Sequence, residues 1–280
     1  IRAGGSVSGS LLGGSAHLEG ISTKSHLSWI GGLRYKTTHY LLGSLDTKGE
    51  YKPAFWDFQS YLTWSPSIRT EIGLLTNVSI NSYHFVPASR ETDFGNIFSA
   101  YRLKIYYDGS ELDKYTTLMG ALTFKQRLGE NVSINFSTSA YSSGERETFD
   151  IEGQYLINEL DTRLGTETTG DSIKNIGVGT FLDHARNRLM IHVFSLQHSG
   201  KYGIPGYTLR WGIRTQSEII HDRLSEWKLV DSAGYSLPYS EDEVRLYDVV
   251  KSSNHFSTWR ASGYIENTFS TGLWGGDAYI

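Results

Sequence analysis

Over stretches of about ten residues, repeated through most of this chain, every second residue is apolar, and few sequence patterns restrict the possible fold more. Successive side chains of a β-strand project to opposite faces, so this spacing puts apolar groups on one face and polar groups on the other. Trp56, Phe58, Leu62 and Trp64 fall on one side, with Asp57, Gln59, Tyr61 and Thr63 on the other. Ser65-Pro66-Ser67 reads as a tight turn, and Ile72, Leu74, Val78 and Ile80 then alternate with Glu71, Gly73, Asn77, Ser79 and Asn81. The pair reads as a β-hairpin.

The pattern recurs in Leu118, Gly120, Leu122 and Phe124, turns at Leu128-Gly129-Glu130-Asn131, and resumes in Val132, Ile134, Phe136, Thr138 and Ala140. Segments 27–36, 207–216 and 255–269 repeat it, with Arg34, Arg210, Arg214 and Arg260 on the polar side. That side is otherwise mostly Ser, Asn, Thr and Gly, whereas the outer face of a soluble sandwich carries many lysines and glutamates. A wet interior fits better. If the apolar side meets lipid, an Arg there near the midplane costs about 2–4 kcal/mol, so the arginines select the lumen phase.

Connections between these strands are expected to alternate in length. Short ones are read at 65–67, 128–131 and near 200–206, and long loops at 87–115, 142–188 and 221–253. The first long stretch is expected to hold a hairpin of its own, because 101–107 alternates before Asp108-Gly109. The expected fold is all-β: a transmembrane antiparallel β-barrel with about eight to eleven strands in this chain.

Composition agrees. The 280 residues contain 30 Gly, 18 Tyr and 7 Trp but only 5 Pro, a balance suited to many twisted strands with aromatic ends. No run of 18 apolar residues exists that could form a membrane-crossing helix. A net charge of -4 offers no general attraction for nucleic acid. The absence of cysteine removes disulfide and cysteine-based metal chemistry. The chain starts at Ile1 with no signal segment before Gly4, as expected of a processed precursor or a fragment.

Several short runs resemble a known family. They are Gly5-Ser6-Val7-Ser8-Gly9-Ser10-Leu11-Leu12-Gly13-Gly14, Leu33-Arg34-Tyr35-Lys36, Tyr40-Leu41-Leu42-Gly43 and Phe55-Trp56-Asp57-Phe58-Gln59-Ser60-Tyr61. With Arg210-Trp211-Gly212 and the 231–238 segment, they are similar to barrel strands of TonB-dependent outer-membrane receptors of the Bacteroides group. The resemblance implies a barrel of about 22 strands holding a plug domain, with a short box that recruits TonB. Plug and box are expected to lie outside residues 1–280, and the chain, which ends at Trp274-Gly275-Gly276-Asp277-Ala278-Tyr279-Ile280, is expected to be an internal section of one barrel domain. Implied partners are outer-membrane lipid, the plug and TonB system, a SusD-like surface lipoprotein and the imported small molecule or oligomer. The implied location is the bacterial outer membrane.

On this reading Arg34, Asp57, Gln59, Arg210, Arg214 and Arg260 line the lumen or touch the plug, and Tyr83, Phe85 and Tyr235 are the ligand candidates of extracellular loops. No catalytic residue, cofactor or metal is assigned. His221-Asp222 with Ser225 lacks a nucleophile elbow. His184, His192 and His198 are too loosely spaced for a metal site. The acidic run from Asp108 to Asp113 lacks the ligand spacing of an EF-hand. Trp29, Trp56, Trp64, Trp211 and Trp259 suit a membrane interface. The competing readings are a passive porin, a non-transporting envelope barrel and a soluble carbohydrate-binding β-sandwich.

Overall fold

The computed structural model describes residues 2–42, 49–271 and 276–279. The strands are β1 (Arg2–Ser10), β2 (Gly13–Ser22), β3 (Leu27–Thr37), β4 (Gly49–Tyr51), β5 (Ala54–Ser67), β6 (Thr70–Pro87) and β7 (Arg90–Asn96). They continue with β8 (Ser99–Arg127), β9 (Val132–Leu160), β10 (Ser172–Ile204), β11 (Tyr207–Ser232), β12 (Tyr235–Leu237), β13 (Asp248–Thr271) and β14 (Gly276–Tyr279). One four-residue helix, α1 (His39–Leu42), follows β3. No helix among the described residues is long and apolar enough to cross a membrane.

All 14 strands join one antiparallel sheet, whose main path is β1-β2-β3-β5-β6-β8-β9-β10-β11-β13-β14. The path does not close on itself, so the all-β antiparallel expectation holds as an open sheet. Neighbours in the chain are neighbours in space because each short turn returns the strand beside itself. Cross-strand partners share a face, so the register carries the alternation from strand to strand. One rung reads Leu33, Phe58, Val78, Leu118, Ser142, His192, Ile219 and Ser257. Trp29, Trp56, Trp64, Trp211 and Trp259 all belong to this apolar face.

Toward the long-connection end, this face meets a rung of cations: Lys114, Arg146, Arg188 and Arg223 are consecutive cross-strand partners. All four are exposed, and none forms a side-chain ion pair with another described residue. From that rung to the short turns, the apolar face carries no Asp, Glu, Lys or Arg among the described residues. The stretch from Lys114 to Phe124, at about 3.3 Å per residue and about 40° of tilt, spans about 25 Å, the height of an outer-membrane apolar band.

Packing differs from that of a two-layer soluble domain. Leu160 and Ala185 are the buried hydrophobic residues among those described, and no large side chain is fully enclosed. Leu33, Phe58, Leu74, Leu118, Leu122, Phe194 and Leu196 are all more than a third exposed, on one continuous face. A second sheet to cover them is absent among the described residues, so the sandwich reading has no dry core to stand on. Polar groups on this face tend to pair with each other: Ser60 and Thr76 share a hydrogen bond of 2.7 Å.

Aromatic rings shield backbone where side chains are missing. The Trp211 indole lies over Gly200 of β10, where a Cβ would come within 2.0 Å of the ring. At the first turn Gly13 has φ 134°, and a Cβ there would meet the Tyr35 carbonyl oxygen at 2.1 Å. Only glycine fits that corner.

The structure corrects three expectations about connections. The hairpin turn falls at Ile68-Arg69; Ser65-Pro66-Ser67 remains in β5, with an irregularity in register between Trp64 and Ser67. The segments 87–115, 142–188 and 221–253 are largely strand: β8, β9 and β10 run on for 29, 29 and 33 residues. Asp108-Gly109 lies inside β8, while the expected hairpin forms between β7 and β8 and turns at Ile97-Phe98. Gly43, Trp274, Gly275 and Ile280, invoked above, lie outside the described residues.

Candidate functional site

Register brings Arg34, Asp57, Gln59, Arg210, Arg214 and Arg260 onto the polar face, spread across the four strands β3, β5, β11 and β13. They form separate groups rather than one site. Arg34 and Asp57 are direct cross-strand partners, and the guanidinium donates from Nε at 2.9 Å and from a terminal nitrogen at 2.5 Å to Asp57 Oδ2. Ser79 donates to the other carboxylate oxygen at 3.0 Å. A concavity of about 400 Å³ beside this pair is lined by both residues and by Gln59, Ser15, His17 and Tyr61.

Across the sheet, Arg260 bonds to Glu218, which accepts from Gln216 at 2.6 Å, and Gln216 in turn accepts from Arg214 at 2.8 Å. Arg210 pairs with Glu266 at 2.8 Å. Near the short turns, Arg69, Lys125, Arg127, Lys201 and Arg210 line a concavity of about 510 Å³ together with Glu71. Cations outnumber acids there, so this end of the polar face attracts anionic groups.

Near the long connections the polar face changes character. Tyr83 and Phe85 stand directly opposite Asp113 and Glu111. Tyr51 of β4 stacks on Phe85 at 4.7 Å between ring centroids. Glu147 faces Asp113 from β9, and one carboxylate oxygen from each of Glu111, Asp113 and Glu147 lies within 4.8 Å of the others. Burial, then repulsion from neighbouring carboxylates, pushes both the Glu111 and Asp113 carboxyls above their ordinary range. Tyr235 is elsewhere, in β12 beside Tyr239, and does not join Tyr83 and Phe85.

Sequence reasoning had no means to find the Glu147 partnership, because Asp113 and Glu147 meet only through a register between strands. The histidines separate. His184 contacts Asp150 at 2.5 Å and stacks on Trp227, while His198 accepts from the Trp211 indole at 3.1 Å. His221 and His255 face each other across β11 and β13 with 3.1 Å between Nδ1 atoms. The Ser225 backbone N–H donates to Asn187 Oδ1 at 3.1 Å, and among the described residues Ser225 forms no triad with His221 and Asp222. Compared with protein-family models, curated proteins and solved structures, the chain matches none.

Proposed function

We propose that this sheet is a section of the wall of an outer-membrane β-barrel, and that the barrel belongs to an importer of the TonB-dependent type. The observation that carries the membrane half is the uncharged apolar face of about 25 Å, bounded by the Lys114-Arg146-Arg188-Arg223 rung. In lipid every backbone polar group needs an internal partner, and strands further along the barrel would supply those lacking at the free edges of β1 and β14.

The transport half is supported by the polar face. Its Ser-, Asn- and Gly-rich surface and its paired charges suit a water-filled interior, and the cation-rich concavity near the short turns would meet an acidic plug surface. Above the membrane, Tyr51, Tyr83 and Phe85 offer stacking surfaces to a glycan, a peptide, a siderophore or a vitamin. The chain would supply wall and path, with energy delivered through the plug and TonB.

Lipid-borne quenchers test the membrane placement. Trp259 lies on the middle rung with Phe194 and Gly120, and Trp56 one step from the cation rung. Trp259→Phe should lower quenching by deeply brominated lipid more than by shallowly brominated lipid, and Trp56→Phe should do the reverse. Absence of quenching at every depth overturns the barrel. Transport is tested separately, by competing a deletion strain with its parent on glycan, peptide, siderophore-iron and vitamin sources. Equal growth on all of them removes the importer and leaves the barrel.

A further inference from the structure

Asp113 is only 9% exposed, and its Oδ1 is buried with no hydrogen-bond partner. An ionised oxygen in that position is costly unless something positive reaches it. No lysine or arginine does: among the described residues, none pairs with Glu111, Asp113 or Glu147. Lys114 and Arg146, adjacent in the chain, project from the opposite face. Among the described residues, the side-chain donor that reaches the group is Asn187, itself 7% exposed, whose Nδ2 donates to Glu147 Oε2 at 2.8 Å and to Glu226 Oε1 at 2.6 Å.

The arrangement is fixed by backbone rather than by mobile loops. Glu111 and Asp113 are two apart on β8 and so share a face, and Glu147 is the cross-strand partner of Asp113 on β9. Three convergent carboxylates, one with an unsatisfied buried oxygen, and a neutral amide that orients the third form the ligand set of a hard cation.

We propose that Glu111, Asp113 and Glu147 bind a calcium ion that links β8 to β9 on the polar face, beside Tyr83. The number and kind of ligands favour calcium over magnesium. Calcium takes about six to eight oxygens in flexible geometry with several carboxylates, whereas magnesium keeps most of its waters and is usually bound through about one or two carboxylates. The three carboxylate oxygens here lie within 4.8 Å of one another, close enough to share one ion. Glu145 lies one step along the same face of β9, and Tyr83 is opposite Asp113.

The experiment uses the full protein, folded in detergent or in buffer as its solubility dictates. Terbium chloride serves as probe, because Tyr83 is placed to sensitise its emission, and calcium and magnesium chloride serve as competitors. The expected result is saturable terbium emission, displaced by calcium at far lower concentration than by magnesium. Asp113→Asn and Glu147→Gln should each weaken calcium binding by at least about tenfold, while Glu241→Gln, in the connection after β12, leaves it unchanged. Glu111→Gln provides an independent reading should either of the first two variants fail to fold. No saturable binding below about 10 mM calcium, or unchanged affinity in any folded member of the trio, overturns the proposal. So does a wild-type protein that calcium leaves no more heat-stable while Asp113→Asn gains stability, since the carboxylates then share a proton instead.

Discussion

Phe194 and Val193 are adjacent on β10, and only the face on which they project separates them. Phe194 sits on the middle rung of the apolar face, 53% exposed, and Val193 stands on the polar face opposite Glu218. On the proposed membrane placement, arginine at Phe194 would put a guanidinium at mid-depth in lipid, at a cost of about 2–4 kcal/mol. Loss of the phenyl group adds to this: roughly half its surface is left for lipid to cover, worth about 1 kcal/mol of the value for full burial. Phe194→Arg should therefore destabilise the membrane-inserted protein by about 3–5 kcal/mol, about two to four decades in the folding constant. Val193→Arg gains an acidic neighbour and a wet interior and should stay within about 1 kcal/mol of wild type. Guanidinium titrations of the full protein in lipid vesicles, followed by tryptophan emission, give both numbers. Equal costs would refute the lipid-facing assignment, and a larger cost at Val193 would show the two faces to be interchanged.

Two further outcomes follow from individual contacts. Asp161, 3% exposed, accepts from the Arg163 guanidinium, the Thr168 hydroxyl at 2.7 Å and the Arg163 backbone N–H at 3.0 Å, and these bonds hold its carboxyl far below the usual range. A depressed folded-state pKa contributes stability that is present above the unfolded value of about 3.9 and is lost as pH falls below it. The 161–171 connection should thus keep its amide protection at pH 5 and lose it in stronger acid, and Asp161→Asn should show accelerated exchange of the Arg163 amide already at neutral pH. For Arg34 and Asp57, where the arginine is 54% exposed, a double-mutant cycle with Arg34→Met and Asp57→Asn should give a coupling of about 0.2–1 kcal/mol. A coupling well above that range would mean that the polar face is dry and would count against a water-filled lumen.

Alternation identified strands wherever their two faces meet different surroundings. Trp56 to Trp64 and Leu118 to Phe124 are of this kind, and their phase survives in the register rung by rung. The segments taken for long loops failed that reading for a physical reason. Beyond the cation rung, residues such as Glu147, Thr148 and Asp150 put polar groups on both faces of the strand, so periodicity in hydrophobicity has little to mark. The Ser65-Pro66-Ser67 error has a local origin: Pro lacks an N–H and signals a turn, yet it is tolerated beside the irregularity that precedes the actual turn at Ile68-Arg69. Arg34 and Asp57 could be placed on one face from their own strands, whereas pairing them required the register.

The tall strands also change what ligand capture costs. Tyr83, Phe85, Glu111, Asp113 and Glu147 stand on ladder-bonded backbone continuous with the wall. A loop that closes on its ligand gives up about 1–2 kcal/mol of backbone entropy for each residue it orders. Here that ordering is complete before a ligand arrives. If this face captures a ligand as proposed, recognition should draw little on conformational freedom, so a modest number of contacts could hold the ligand firmly, and release would depend on changes brought from outside the sheet rather than on the sheet relaxing by itself.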